Sequence, residues 1–126
     1  MNTAVIPARQ LACLLTDTAA GIPADLAAVE LITRHDHFLH TPGFRRVIAA
    51  GRSVFTGEPV VTIRWMAAIY ALETGRLPCT GSEEAVLRIA ASLGDSDIPV
   101  HLRHHLGSLD HHNINLITAA IARANG

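Results

Sequence analysis

Apolar side chains recur along most of this chain at three- and four-residue intervals, between prolines and glycines placed where helices start and stop. Residues so spaced share one face of a helix, and each such face has to be buried against another. Ala8, Leu11 and Leu15 form one stripe after Pro7, closed by Gly21. Leu26, Val29 and Ile32 or Thr33 form the next after Pro23, whose missing N–H is no loss in a first turn; this helix frays near His35. Thr41 and Pro42 read as cap and first residue of a third helix, with Phe44, Val47 and Ile48 inward and Gly51 after its end. Trp65, Ala68, Ile69 and Leu72 share a face of a fourth, and Met66 and Ala67 leave it so little polar surface that its expected place is the domain centre. Gly75 suits the residue after its end.

Thr80-Gly81-Ser82-Glu83 has the spacing of a capping box, in which hydroxyl and carboxylate satisfy each other's free backbone N–H groups. It opens a helix with Val86, Ile89, Ala90 and Leu93 inside, up to Gly94. A short helix over about 100–106 and a last one capped by Asp110 follow. Leu109 and Ile114 sit at hydrophobic-staple positions there, and Ile114, Ile117 and Ile121 repeat on one face. Residues 53–63 break the rhythm. Ser53-Val54-Phe55 and Val60–Ile63 are β-prone runs around Thr56-Gly57-Glu58-Pro59, which reads as a hairpin or as an irregular loop feeding the next helix. The expected fold is mostly α, one domain over residues 1–126 with about six or seven short helices and this hairpin.

Composition agrees. Hydrophobic residues make up 49% and aromatics 4%, and the mean hydropathy is +0.29, which favours close helix packing over sheets. So much apolar content implies surface left over for a partner, and a second copy of the chain is the simplest cover. The formal net charge is −1, and the ten cationic side chains are all arginines. No global basic field favours nucleic acid or an anionic membrane. There is no apolar run of about 18 residues, as a membrane span needs. Nor is there an export-type leader, and Leu11-Ala12-Cys13 has too little chain before it for a lipoprotein signal. The expected location is the cytoplasm.

Several segments of the second half resemble a group of small uncharacterised actinobacterial proteins of Streptomyces type. They are Trp65-x-Ala67-Ala68, Leu77-Pro78-Cys79-Thr80-Gly81-Ser82-Glu83, Leu87-Arg88-x-Ala90-Ala91-Ser92-Leu93, Pro99-Val100-x-Leu102 and Leu109-Asp110-x-x-Asn113. The resemblance implies a source and carries no activity, substrate or site.

Eight histidines fall into three groups: His35, His37 and His40; His101, His104 and His105; His111 and His112. His101 and His105, four apart, share a helix face and have the spacing of two ligands for Zn²⁺, Ni²⁺ or Cu²⁺, with His111 and His112 as the nearest completion. A catalytic zinc site needs three ligands in fixed geometry, and no zinc-enzyme motif accompanies these residues, so solvated histidines at a helix junction are the favoured reading. The first group reads as a helix end, where imidazolium complements the macrodipole. Cys13 and Cys79 lie far apart and encode no disulfide framework. Cys79 precedes a helix N-terminus, a place that lowers thiol pKa, but without the arginine of a phosphatase loop a structural cysteine is favoured.

Arg34, Arg45, Arg46, Arg52 and Arg64 face only Asp36 and Glu58 over residues 34–64, five positive against two negative for a local excess of +3. Helix, helix, short helix, hairpin is also the order of a winged helix-turn-helix, with Arg45 and Arg46 on the would-be recognition helix and Arg52 nearby. Gly43 and the shortness of that helix argue for a merely solvated face. These features lead to an expectation of a non-catalytic protein that needs no cofactor and works through protein–protein contacts, including with itself. A DNA-associated regulator and a histidine-based metal or pH sensor are the alternatives.

Overall fold

Helix α2 (Pro23–His35) forms the centre of the molecule, packed by α1 (Ala8–Ala19), α5 (Gly81–Gly94) and α7 (His111–Ala124). The computed structural model describes residues 2–126. Between these helices lie α3 (Pro42–Arg45), β1 (Ile48–Arg52), β2 (Pro59–Ile63), α4 (Trp65–Glu73) and α6 (Leu102–Leu106), giving a mostly helical chain with one two-stranded antiparallel sheet. Ala27, Ala28, Val29, Leu31 and Ile32 are all buried, so α2 is enclosed on most of its circumference. Ala85, Val86, Leu87, Ile89, Ala90 and Ala91 do the same for α5. The alanines at the contact carry little bulk and let the two backbones approach closely.

The centre is therefore not α4, as its composition suggested. Trp65, Ala68 and Ile69 face the core, but Met66 is 55% and Tyr70 61% exposed. Its place is fixed by Trp65, whose indole lies on Gly94. A Cβ at Gly94 would come within 2.9 Å of the indole Cδ1 and nearer still to Nε1 and Cε2. The glycine at the end of α5 is thus a space for the ring as much as a helix stop.

The predicted caps form at Thr80 and Asp110, whereas the Thr41 hydroxyl donates back to the Phe38 carbonyl at 2.8 Å and does not cap α3. The Thr80 hydroxyl accepts from the Glu83 N–H at 3.2 Å and the Thr80 N–H donates to Glu83 Oε1 at 2.9 Å. Asp110 accepts from the Asn113 N–H at 2.8 Å. Gly75 takes a positive φ of 77° just after α4. Helix α2 has no glycine to end it and stops at Asp36, in the left-handed region at φ 57°, ψ 42°. In α7 the buried side is Asn113, Ile117 and Ala120, while Ile121 is 48% exposed. Of the isoleucine repeat only Ile117 lies on this buried side, so the helix is rotated from the face that the repeat predicted. Asn113 decides the orientation by donating from Nδ2 to Ser82 Oγ at 2.8 Å, which seats the start of α7 on the start of α5.

The main correction lies between residues 42 and 63. Helix α3 is a single turn, and Ile48 to Arg52, expected at the end of that helix and beyond it, form the first strand of the hairpin. Residues 53–55, expected as that strand, lie in the turn. Ser53 Oγ accepts from the N–H groups of Phe55 and Thr56, folding the chain over at that point. The strand Ile48-Ala49-Ala50-Gly51-Arg52 has only one β-branched residue, so local preference points away from a sheet. Pairing with Pro59–Ile63, in the register Ile48↔Ile63 to Arg52↔Pro59, overrides it. Ile48, Val61 and Ile63 bury the inner face.

Candidate functional site

Histidines from two of the three sequence groups meet where α2 ends and where α5 and α7 begin. His35 is the last residue of α2, and His37 follows it in the turn. Glu83 comes from the first turn of α5, and Asp110 and His112 from the start of α7. His37 Nε2 lies 3.4 Å from Glu83 Oε2. The rings of His35, His37 and Phe38 stack edgewise and tilted, with centroids 4.9–5.9 Å apart. His35 Nδ1 is buried and has no hydrogen-bond partner among the described residues.

Burial pushes His35 below the ordinary imidazole value of 6.5. His37 and His112 add like-charge repulsion, partly opposed by the carboxylates of Glu83 and Asp110. The imidazolium expected at this helix end is disfavoured because the ring has left water. This has a definite pH signature. A histidine whose folded pKa is depressed supports the fold fully above its unfolded value of about 6.5, and that support is lost as pH falls through the lower folded value. Chemical denaturation between pH 7.5 and 5 should therefore show a loss of stability on the acid side that is smaller in His35→Leu. Equal slopes in the two proteins would remove His35 as the cause.

The arrangement expected around His101 does not form. His101 precedes α6 as its N-cap, with φ −95° and ψ 92°, so it does not share a helix face with His105. Its ring instead lies 5.3 Å from that of His104. Neither His111 nor His112 completes the set. Among the described residues no three His, Cys, Asp or Glu side chains are placed to hold one ion. Cys79 also departs from its helix-terminus expectation. Burial, with Glu83 and Glu84 nearby, pushes its thiol up to about 11, so it is protonated at neutral pH.

The arginines separate into different roles. Arg45 donates from Nε to the Leu39 carbonyl at 2.7 Å and from Nη1 to the carbonyls of Thr3 and Ile6 at 2.9 and 2.5 Å. It ties the N-terminal segment to the turn before α3 and is not presented to a partner. Arg46 is exposed just after α3 and, with Arg9 and His40, borders an open cleft of about 880 Å³. Arg52, at the end of β1, turns its guanidinium back onto the Gly57 carbonyl at 2.9 Å. The element order of a winged helix-turn-helix is present, but a four-residue α3 is no recognition helix.

The most exposed apolar side chains sit at the hairpin tip, where Val54 is 90% and Phe55 94% accessible. The backbone there is nonetheless well bonded. The Ser53 N–H donates to the Glu58 carbonyl and the Gly57 N–H to the Ser53 carbonyl, both at 2.9 Å, in addition to the Ser53 hydroxyl contacts. By sequence these two residues belong to a β-prone run ahead of the turn, or to an irregular loop. The signal that would have marked them is Ser53 followed by Gly57, a turn pairing across an apolar dipeptide. Among the described residues no helix is long and apolar enough to cross a membrane. Comparison with protein-family models, curated proteins and solved structures gives no match.

Proposed function

We propose that this protein is non-catalytic and acts through protein–protein contact, associating with itself through the hairpin end of the molecule. The observation that carries this reading is the tip, where a hydrogen-bonded loop holds Val54 and Phe55 almost wholly in water. Apolar side chains held out on an ordered loop are costly unless a partner covers them, and an ordered loop loses little further entropy on binding. A large aromatic at such a position is the usual kind of contact anchor. The non-catalytic part of the reading is supported by the protonated Cys79 thiol and by the commitment of Arg45 to backbone carbonyls.

Light scattering over a concentration series is the test. A dimer is expected, and Val54→Ser/Phe55→Ser should raise its dissociation constant by about tenfold or more, the equivalent of roughly 1.4 kcal/mol. His101→Ala and His105→Ala should leave it intact. A wild-type protein that stays monomeric at the highest soluble concentration would sink self-association.

A further inference from the structure

The hairpin has two edges, and they are treated differently. On β2 the Val61 N–H points away from β1 and donates to Thr18 Oγ1 of α1 at 3.4 Å, so this edge is covered by a helix. The β1–β2 ladder is fixed at one end by Arg64 N–H to the Val47 carbonyl at 2.8 Å and at the other by Ser53 N–H to the Glu58 carbonyl at 2.9 Å. In an antiparallel pair, hydrogen-bonded and non-hydrogen-bonded positions alternate. Ala49 and Gly51 therefore bond to β2, while Ile48, Ala50 and Arg52 direct their N–H and C=O groups outward. Among the described residues no hydrogen bond reaches those outward groups.

An open strand edge is normally guarded by a charge, a proline, a bulge or a covering element. Here Ala50 and Gly51 are exposed, a Cβ on Gly51 would meet open space, and the one charged side chain, Arg52, is folded back on its own turn. Such an edge takes another strand, which supplies the missing donors and acceptors.

We propose that β1 pairs antiparallel with β1 of a second copy across a two-fold axis at Ala50, forming a continuous four-stranded sheet β2-β1-β1-β2. This rests on the self-association reading and says where and how the copies meet. A second copy is the occupant because the strand complements itself. The groups that Ala50 directs outward are the pair that Ala50 of a two-fold mate exchanges. Small side chains then meet at the axis, and each Arg52 falls opposite the mate's Ile48. The two guanidinium-bearing residues are about 14 Å apart along the strands, whereas a parallel arrangement would stack them about 5 Å apart. The same pairing brings each Val54–Phe55 tip towards the mate's residues before β1.

The decisive experiment is crosslinking. A two-fold pair at Ala50 places the Cα atoms about 5.5 Å apart, within the range a disulfide spans. Ala50→Cys in a Cys13→Ser background should form a disulfide dimer under mild oxidation, while Thr62→Cys, exposed on the sheet's outer face, should not. Ala50→Lys, which puts like charges on the axis at a position with an exposed side chain, should raise the dissociation constant at least tenfold with an unchanged circular dichroism spectrum. A wild-type dimer with no Ala50→Cys crosslink rejects the edge pairing, whatever Ala50→Lys does, and leaves self-association standing with its contact elsewhere. A monomeric wild type rejects both.

Discussion

Replacing Phe38 with alanine should remove about 3–5 kcal/mol of folding stability, a large share of the ~5–15 kcal/mol that holds a domain together. Phe38 is fully buried and its ring lies 5.2 Å from that of Phe44 and 4.9 Å from that of His37. It is the apolar floor beneath the histidine junction. Truncation at this position leaves a cavity beside the Phe44 ring, and that cavity adds to the lost burial. Urea denaturation of the variant should show a lowered midpoint with an unchanged slope, and the melting temperature should fall by about 10–20 °C. Phe38→Leu, which keeps most of the volume, should cost less than half as much. A loss below about 1 kcal/mol for the alanine variant would mean that the ring is not in the core.

The second large effect separates two adjacent arginines. Arg45→Met keeps most of the apolar stem but removes the donors to the carbonyls of Leu39, Thr3 and Ile6, and should cost roughly 2–3 kcal/mol. Arg46→Ala, on an exposed side chain with no ion pair among the described residues, should stay within about 0.5 kcal/mol of wild type. Thermal denaturation of the two variants side by side distinguishes them. Equal, small effects would show that the clamp contributes nothing. The pair also bears on nucleic acid. A loss of DNA affinity in Arg45→Met would have to be corrected for lost folding, whereas Arg46→Ala reports on charge alone. A salt-dependent affinity lost only with Arg46 would revive the DNA reading.

The helices with strong local signals were legible to within a residue or two. Pro23, the Thr80–Glu83 box, Gly75 and Asp110 are chemical statements about helix ends, and they act through neighbours within four positions. The hairpin was half legible. Val60–Ile63 is β-prone by side-chain shape, but Ile48-Ala49-Ala50-Gly51-Arg52 favours a strand only once β2 lies beside it. Histidine grouping along the chain misled for a similar reason. His101 and His105 are close in number but separated by a helix boundary. His35 and His112 are 77 positions apart in sequence and share one junction.

What the sequence determined by itself was the class of object: a predominantly helical chain with its caps and breaks. Those follow from periodicity and from backbone chemistry at helix ends, which are local. Tertiary packing decided that α2 and α5, not α4, lie at the centre, that Arg45 is a clamp, that two histidine groups converge, and that β1 keeps an open edge. Each of these depends on which faces meet across the fold. That choice is made by the shape and volume of many side chains at once, and no window of the chain contains it.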